Sequence, residues 1–201
     1  MNSKVPLISD KRMSLRVESG NQAFMAVLIM MTMFSFFFSQ GANSQSTEYE
    51  LKAVAFQKLS LFIEWPGNAF ENSGNEFIIG VLGENPFGNL LESVYENVKI
   101  KDKKVKIVYF RNIEQAGKCH LLFIPKTSFK DLARIVDFIG TKPVLTIADS
   151  EGFAEAGCLI NFYSYSGKLR FEVNQKALLA AGFITDFKLL KVSKIVNPAG
   201  R

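Results

Sequence analysis

Strand-length apolar runs that alternate with helix-patterned segments constrain this chain more than any other feature. Phe77 to Leu82 is a continuous apolar run, Lys104 to Phe110 a second strand, and Cys119 to Ile124 a third with the character of a buried parallel strand; Val144 to Ala148 is the fourth. Between the first two, Asn85 is placed to cap a helix with Pro86 in its first turn and Phe87, Leu90, Leu91 and Val94 on its inner face. Between the third and fourth, Ser128 and Asp131 are expected to cap a helix carrying Phe129, Leu132, Ile135, Val136 and Ile139, ended by Gly140. Strands joined through helices imply right-handed crossovers and a sheet covered on both faces.

The flanking segments complete the pattern. Thr47 and Glu50 form a T-x-x-E capping box, followed by Leu51, Val54, Ala55, Leu59, Phe62 and Ile63 at helical spacing, with Pro66 as the stop. Cys158 to Tyr163 and Lys168 to Val173 are joined by Ser164 to Gly167 at hairpin length. Asn174 is expected to cap a short helix through Leu178 and Leu179, and an amphipathic helix from Asp186 to Val196 closes the domain. The lysines around the second strand (Lys99, Lys101, Lys103, Lys104, Lys106) suit a sheet edge. The expected fold is therefore α/β, a three-layer α/β/α sandwich whose mostly parallel sheet ends in an antiparallel C-terminal hairpin. There is no internal repeat and no linker long enough to divide it.

The N-terminus has a different character. Ala23 to Phe38 holds no charge, Lys4, Lys11, Arg12 and Arg16 precede it, and the small or polar run Ser39 to Ser46 follows. A basic leader, an apolar stretch shorter than the roughly 20 residues that span a bilayer, and a small-x-small end describe a signal peptide. Ala42-Asn43-Ser44 places cleavage before Gln45, leaving residues 1–44 as leader and 46–201 as a single domain. An uncleaved anchor or a buried helix is the competing reading, and Met13 is an alternative start.

Residues 46–201 carry 20 Lys and Arg against 17 Asp and Glu, a balance of +3. That is too mild for a nucleic-acid partner, and no basic helix or aromatic RNA-binding signature accompanies it. With a single histidine, His120, in a strand expected to be buried, a Ser-His-Asp triad or His/Cys metal set has no material. His120 reads as a core or strand-end residue. No carboxylate pair has acid/base spacing on one element, so an enzyme is not expected and no cofactor is implied. Cys119 and Cys158 invite a disulfide in an oxidising compartment, but sheet order decides. With Val144–Ala148 between their strands they lie about 9–10 Å apart, beyond the ~7 Å limit for a bridge; with the two strands as direct neighbours a bridge is feasible, and the first order is the favoured one.

Two candidate sites remain. In a doubly wound sheet ligands bind beyond the carboxyl ends of the strands. Three loops are placed to converge there: Gly83, Glu84 and Asn85; Lys126, Thr127 and Ser128; and Asp149 with Glu151. Two of them open helices, whose N-termini favour a small anion or nucleotide; the alternative is that all three are merely capped turns. Trp65 either plugs the core edge, the favoured reading, or anchors a partner.

In order along the chain, Phe62-Ile63-Glu64-Trp65-Pro66, Ile79-Gly80-Val81-Leu82-Gly83 with Pro86-Phe87-Gly88, and Cys119 to Ile124 resemble the YfiR-like family of exported proteins. Pro143 to Asp149, the Gly152-Phe153 loop, Phe171-Glu172-Val173-Asn174 and Lys188-Leu189-Leu190 continue the resemblance over the whole mature chain. The resemblance implies a periplasmic regulator that binds and represses the periplasmic sensor part of an inner-membrane diguanylate cyclase, so controlling cyclic-di-GMP and biofilm formation. It also implies a homodimer. Family members carry more cysteines, so a switch built on two disulfides does not transfer to this chain.

Overall fold

The computed structural model describes residues 40–71, 73–125 and 129–196. The apolar leader and residues Lys126, Thr127 and Ser128 lie outside the described residues. The chain divides into Met1–Gln45 and Ser46–Arg201; of the first unit only 40–45 are described, and they are helical.

Helix α1 spans Gln40–Leu61, so the helix does not begin at the Thr47–Glu50 box. Its inward face is Tyr49, Lys52, Ala53, Phe56, Leu59 and Ser60, all buried at helical spacing. This corrects the expected stripe: Leu51 and Val54 are 51% and 40% exposed. Turning the helix this way buries two aromatic rings, which remove more apolar surface from water than Leu51 and Val54 would. The helix stops before Pro66 acts. Ile63–Glu64 (β1) pairs antiparallel with Ile184–Thr185 (β9), and Asp186 N–H donates to Phe62 O at 2.8 Å.

The main sheet has eight strands: β2 (Glu76–Leu82), β3 (Lys99–Ile100), β4 (Lys103–Phe110), β5 (Leu121–Ile124), β6 (Leu145–Ala148), β7 (Ile160–Tyr165), β8 (Lys168–Val173) and β10 (Lys194–Ile195). Their order is β10-β8-β7-β6-β5-β2-β4-β3. The sheet is mixed: β8–β7 and β4–β3 are antiparallel, and the other neighbours pair in parallel. Alternate residues feed opposite faces, as a pleated strand requires. Ile79, Val81, Leu121, Phe123, Leu145 and Ile147 share one buried cluster with α1, whose Phe56 ring meets Phe87, Phe123 and Phe162. Leu122, Ile124 and Ala148 share the other with Leu132, Ile135 and Ile139 of helix α3 (Phe129–Ile139). The class is α/β.

Two further expectations need correction. Helix α2 is Leu90–Tyr95, preceded by Asn89, not a helix capped by Asn85. Helix α5 is only Phe187–Val192, with Asp186 accepting from Lys188 N–H at its start. After it the chain leaves the helix to extend the sheet as β10: Val196 N–H donates to Val173 O, and Lys194 Nζ meets Glu172 Oε1 at 2.7 Å. An open strand edge with a carboxylate beside it competes successfully with one more turn of helix. Asn174 does cap helix α4 (Gln175–Ala180), accepting from Ala177 N–H at 2.9 Å.

Candidate functional site

From β2 the chain passes to β4 on one side and returns to β5 on the other, so the order of strands reverses between β2 and β5. Gly83 follows β2 with φ +79°, where a glycine is needed, and its N–H donates to Phe110 O at 2.8 Å. Asn85 closes the next turn: its Oδ1 accepts from Phe87 N–H and its Nδ2 donates to Gly88 O. Gly83, Glu84 and Asn85 are exposed. The helix that follows has six residues and starts five residues beyond Asn85, so this turn does not present a helix N-terminus to an anion.

Asp149 lies at the end of β6, two strands from β2 across β5, and is committed to α1. Its Oδ2 accepts from Lys52 Nζ at 2.7 Å and from Tyr49 Oη at 3.2 Å, while Oδ1 is buried without a partner. The Lys52 and Asp149 side chains are 3% and 2% exposed. Glu48 supplies a second carboxylate to Lys52 at 2.6 Å, and the ammonium sits 4.3 Å from the Tyr49 ring centre. Burial and the adjacent Asp149 charge push the Tyr49 phenol far above its usual range, so it stays protonated and donates. Tyr49 also packs edge-on against Phe87 at 5.1 Å. The Gly83–Gly88 turn and Asp149 are thus joined through α1, whose cation is already neutralised by two carboxylates. Ser150 N–H donates to Asn161 Oδ1, and Glu151 is exposed. Lys126, Thr127 and Ser128 lie outside the described residues.

The remaining sequence candidates are interior. His120 Nδ1 accepts from Ile78 N–H at 2.8 Å, and its ring lies between Phe70 at 4.8 Å and Phe77 at 5.1 Å. Burial, with the Lys103 charge acting in the same sense, holds the imidazole below its ordinary range. Trp65 is buried against Phe70, Phe77 and Phe183, and its Nε1 donates to His120 O at 3.0 Å. The ring that was weighed as a partner anchor is occupied by the core. Cys119 and Cys158 are free and buried, with β6 between the strands they precede, and burial pushes their thiols up to about 12 and about 11.

What the surface offers instead is apolar. Leu51, Val54 and Leu61 are exposed along the outer face of α1 at heptad-like spacing. Ile184 and Phe187, carried beside the end of α1 by the β1–β9 pairing, are exposed as well. Large apolar side chains left in water along one helix face are candidates for an interaction surface. Sequence reading missed it because it assigned Leu51 and Val54 to the core, and Lys52, a charge at helical spacing from Tyr49 and Phe56, argues against burying the face that is in fact inward. Among the described residues no group of side chains could hold a metal ion, and no helix is long and apolar enough to cross a membrane.

No curated protein matches the chain significantly. A solved structure, the ABC domain in complex with L-Trp from Streptococcus pneumonia, is similar at 10% identity and a TM-score of 0.47. That match covers 70% of this chain and 60% of the other. The family description YfiR/HmsC-like, for periplasmic regulators of cyclic-di-GMP signalling, matches residues 49–194, which is nearly all of the Ser46–Arg201 unit. The chain belongs to the YfiR/HmsC-like family.

Proposed function

We propose that this protein is exported, loses residues 1–44, and acts in the periplasm as a non-catalytic repressor of an inner-membrane signalling protein. The partner in this reading is a diguanylate cyclase, held inactive through its periplasmic part, so that release raises cyclic-di-GMP and favours biofilm. The observation that carries the proposal is the family match over residues 49–194. The exposed face of Leu51, Val54, Leu61, Ile184 and Phe187 supports it, because a membrane-anchored sensor helix needs an apolar surface on which to lie. The two buried clusters are read as the two sides of a three-layer α/β/α domain, with the homodimer implied by the family as its working form. Anion binding by the three loops has less behind it, since Lys52 is already paired.

Affinity capture from solubilised membranes tests the proposal. The wild-type protein is expected to retain an inner-membrane protein bearing a cyclase domain, and the Leu61→Ser/Phe187→Ser double variant to lose it while keeping its unfolding midpoint. Equal retention by both proteins, or no cyclase in either eluate, overturns it.

A further inference from the structure

The outer edge of β4 is open over most of its length. β3 covers only its start, through the pairs Ile100↔Lys103 and Lys99↔Lys104, and among the described residues no strand pairs with the rest of that side. Lys104 N–H donates to Asn75 O and Gly83 N–H to Phe110 O, so the even-numbered residues of β4 turn their backbone groups towards β2. The N–H and C=O groups of Val105, Ile107 and Tyr109 therefore face outward, the array on which an added strand pairs.

Charge is concentrated along this edge. Residues 99–111 hold six Lys and Arg against one Asp, a balance of +5, whereas residues 46–201 as a whole stand at +3, so the rest of the unit is net negative. Lys101 and Lys103 fold over the rings of Trp65 and Phe70, and Lys103 Nζ donates to Gly74 O at 2.7 Å. Lys99, Lys104 and Lys106 share the opposite face and are exposed. Lys99 stands directly across from Lys104 in the register, and like charges so placed destabilise a sheet. Glu76, the carboxylate that β2 brings to this face, lies 3.1 Å from Lys106.

We propose that the β4 edge receives an extended acidic segment of a partner protein as an added strand. Its backbone pairs with Val105, Ile107 and Tyr109, and its carboxylates meet Lys99, Lys104 and Lys106. Successive side chains of a strand change faces, so acidic residues on one face leave apolar ones for the other, beside the half-buried Val105 and Ile107. A second copy of this chain does not fit: two β4 edges would set lysine against lysine, and the far end of the sheet is basic too, with Lys168 and Arg170 of β8 exposed beyond the reach of β10. This edge is not the apolar face assigned to the membrane partner, and the proposal does not depend on that assignment.

The probe is the peptide acetyl-Glu-Val-Glu-Val-Glu-Val-amide, which alternates alike in either strand direction, labelled with fluorescein and followed by anisotropy as the full chain is added. Saturable binding is expected, with none for the Lys-Val analogue. The glutamate peptide N-methylated at every residue keeps its charges and loses its backbone donors, and it is expected not to bind. Lys104→Gln/Lys106→Gln should weaken binding about tenfold, the loss of two exposed charge pairs. The same variant should keep its thermal midpoint, because both side chains are exposed and the Lys106–Glu76 pair lies at the surface. Absent binding to the wild type, equal binding of the Lys-Val or the N-methylated peptide, or unchanged affinity in the double variant overturns the proposal.

Discussion

Replacing Lys52 by Met keeps the length of the side chain and removes its charge, and so isolates what the buried ion pair contributes. In the native chain Lys52 Nζ lies 2.7 Å from Asp149 Oδ2, with both side chains almost wholly out of water. After the substitution the Asp149 carboxylate keeps only the Tyr49 hydroxyl, because Oδ1 has no partner to begin with. Removing one member of a buried pair leaves an uncompensated charge and costs about 3–5 kcal/mol. Glu48 is 44% exposed, so its share of the loss is under about 1 kcal/mol. At roughly 2–4 °C per kcal/mol for a domain of this size, Tm should fall by about 6–20 °C. Urea unfolding should show the loss in midpoint with the slope unchanged. Lys52→Met/Asp149→Leu, which removes both charges, should recover most of the stability, since a packed apolar pair is often neutral relative to a buried ion pair. A single-variant loss below about 1 kcal/mol, or a double variant no better than the single, would refute the assignment of the pair as the clamp between α1 and the sheet.

The remaining expectations concern the core. His120 is held below its ordinary pKa, so the unfolded chain binds a proton that the fold resists; stability is complete above about pH 6.5 and declines as pH falls below it. His120→Asn should flatten that decline in urea midpoints measured from pH 7.5 to 5.5, and an unchanged slope would count against it. Cys119 and Cys158 should resist iodoacetamide at pH 8 in the native state and react only after unfolding, and the native protein should show no loss of two hydrogens by mass. Gly80→Ala would set a Cβ 2.6 Å from Phe110 Cε2 and 3.1 Å from Leu122 Cδ1. Over-packing of that kind costs about 1–3 kcal/mol, to be read from thermal unfolding.

The parts of the fold legible from sequence are those whose signals are local. Phe77 to Leu82, Cys119 to Ile124 and Lys168 to Val173 announce themselves by apolar runs and a hairpin turn, and the structure has strands there, the second starting at Leu121. Asn174 caps a short helix as its neighbours suggest. What was illegible depends on distant partners. Lys52 can face inward only because Asp149, 97 residues away, receives it, and that decides the register of α1. The two-residue strands β1, β9 and β10 carry no apolar period of their own: β1 and β9 exist because they meet each other from distant parts of the chain, and β10 because the edge of β8 lies beside it. The exposed face of α1 follows from the same register, so it too could not be read until the pair was seen.

The central claim is that this chain restrains a membrane cyclase, and intracellular cyclic-di-GMP tests it most directly. Deleting the gene should raise the level, the wild-type gene should restore it, and Leu61→Ser/Phe187→Ser should fail to do so at equal protein abundance. An unchanged level in the deletion strain, or full restoration by the double variant, would contradict the account.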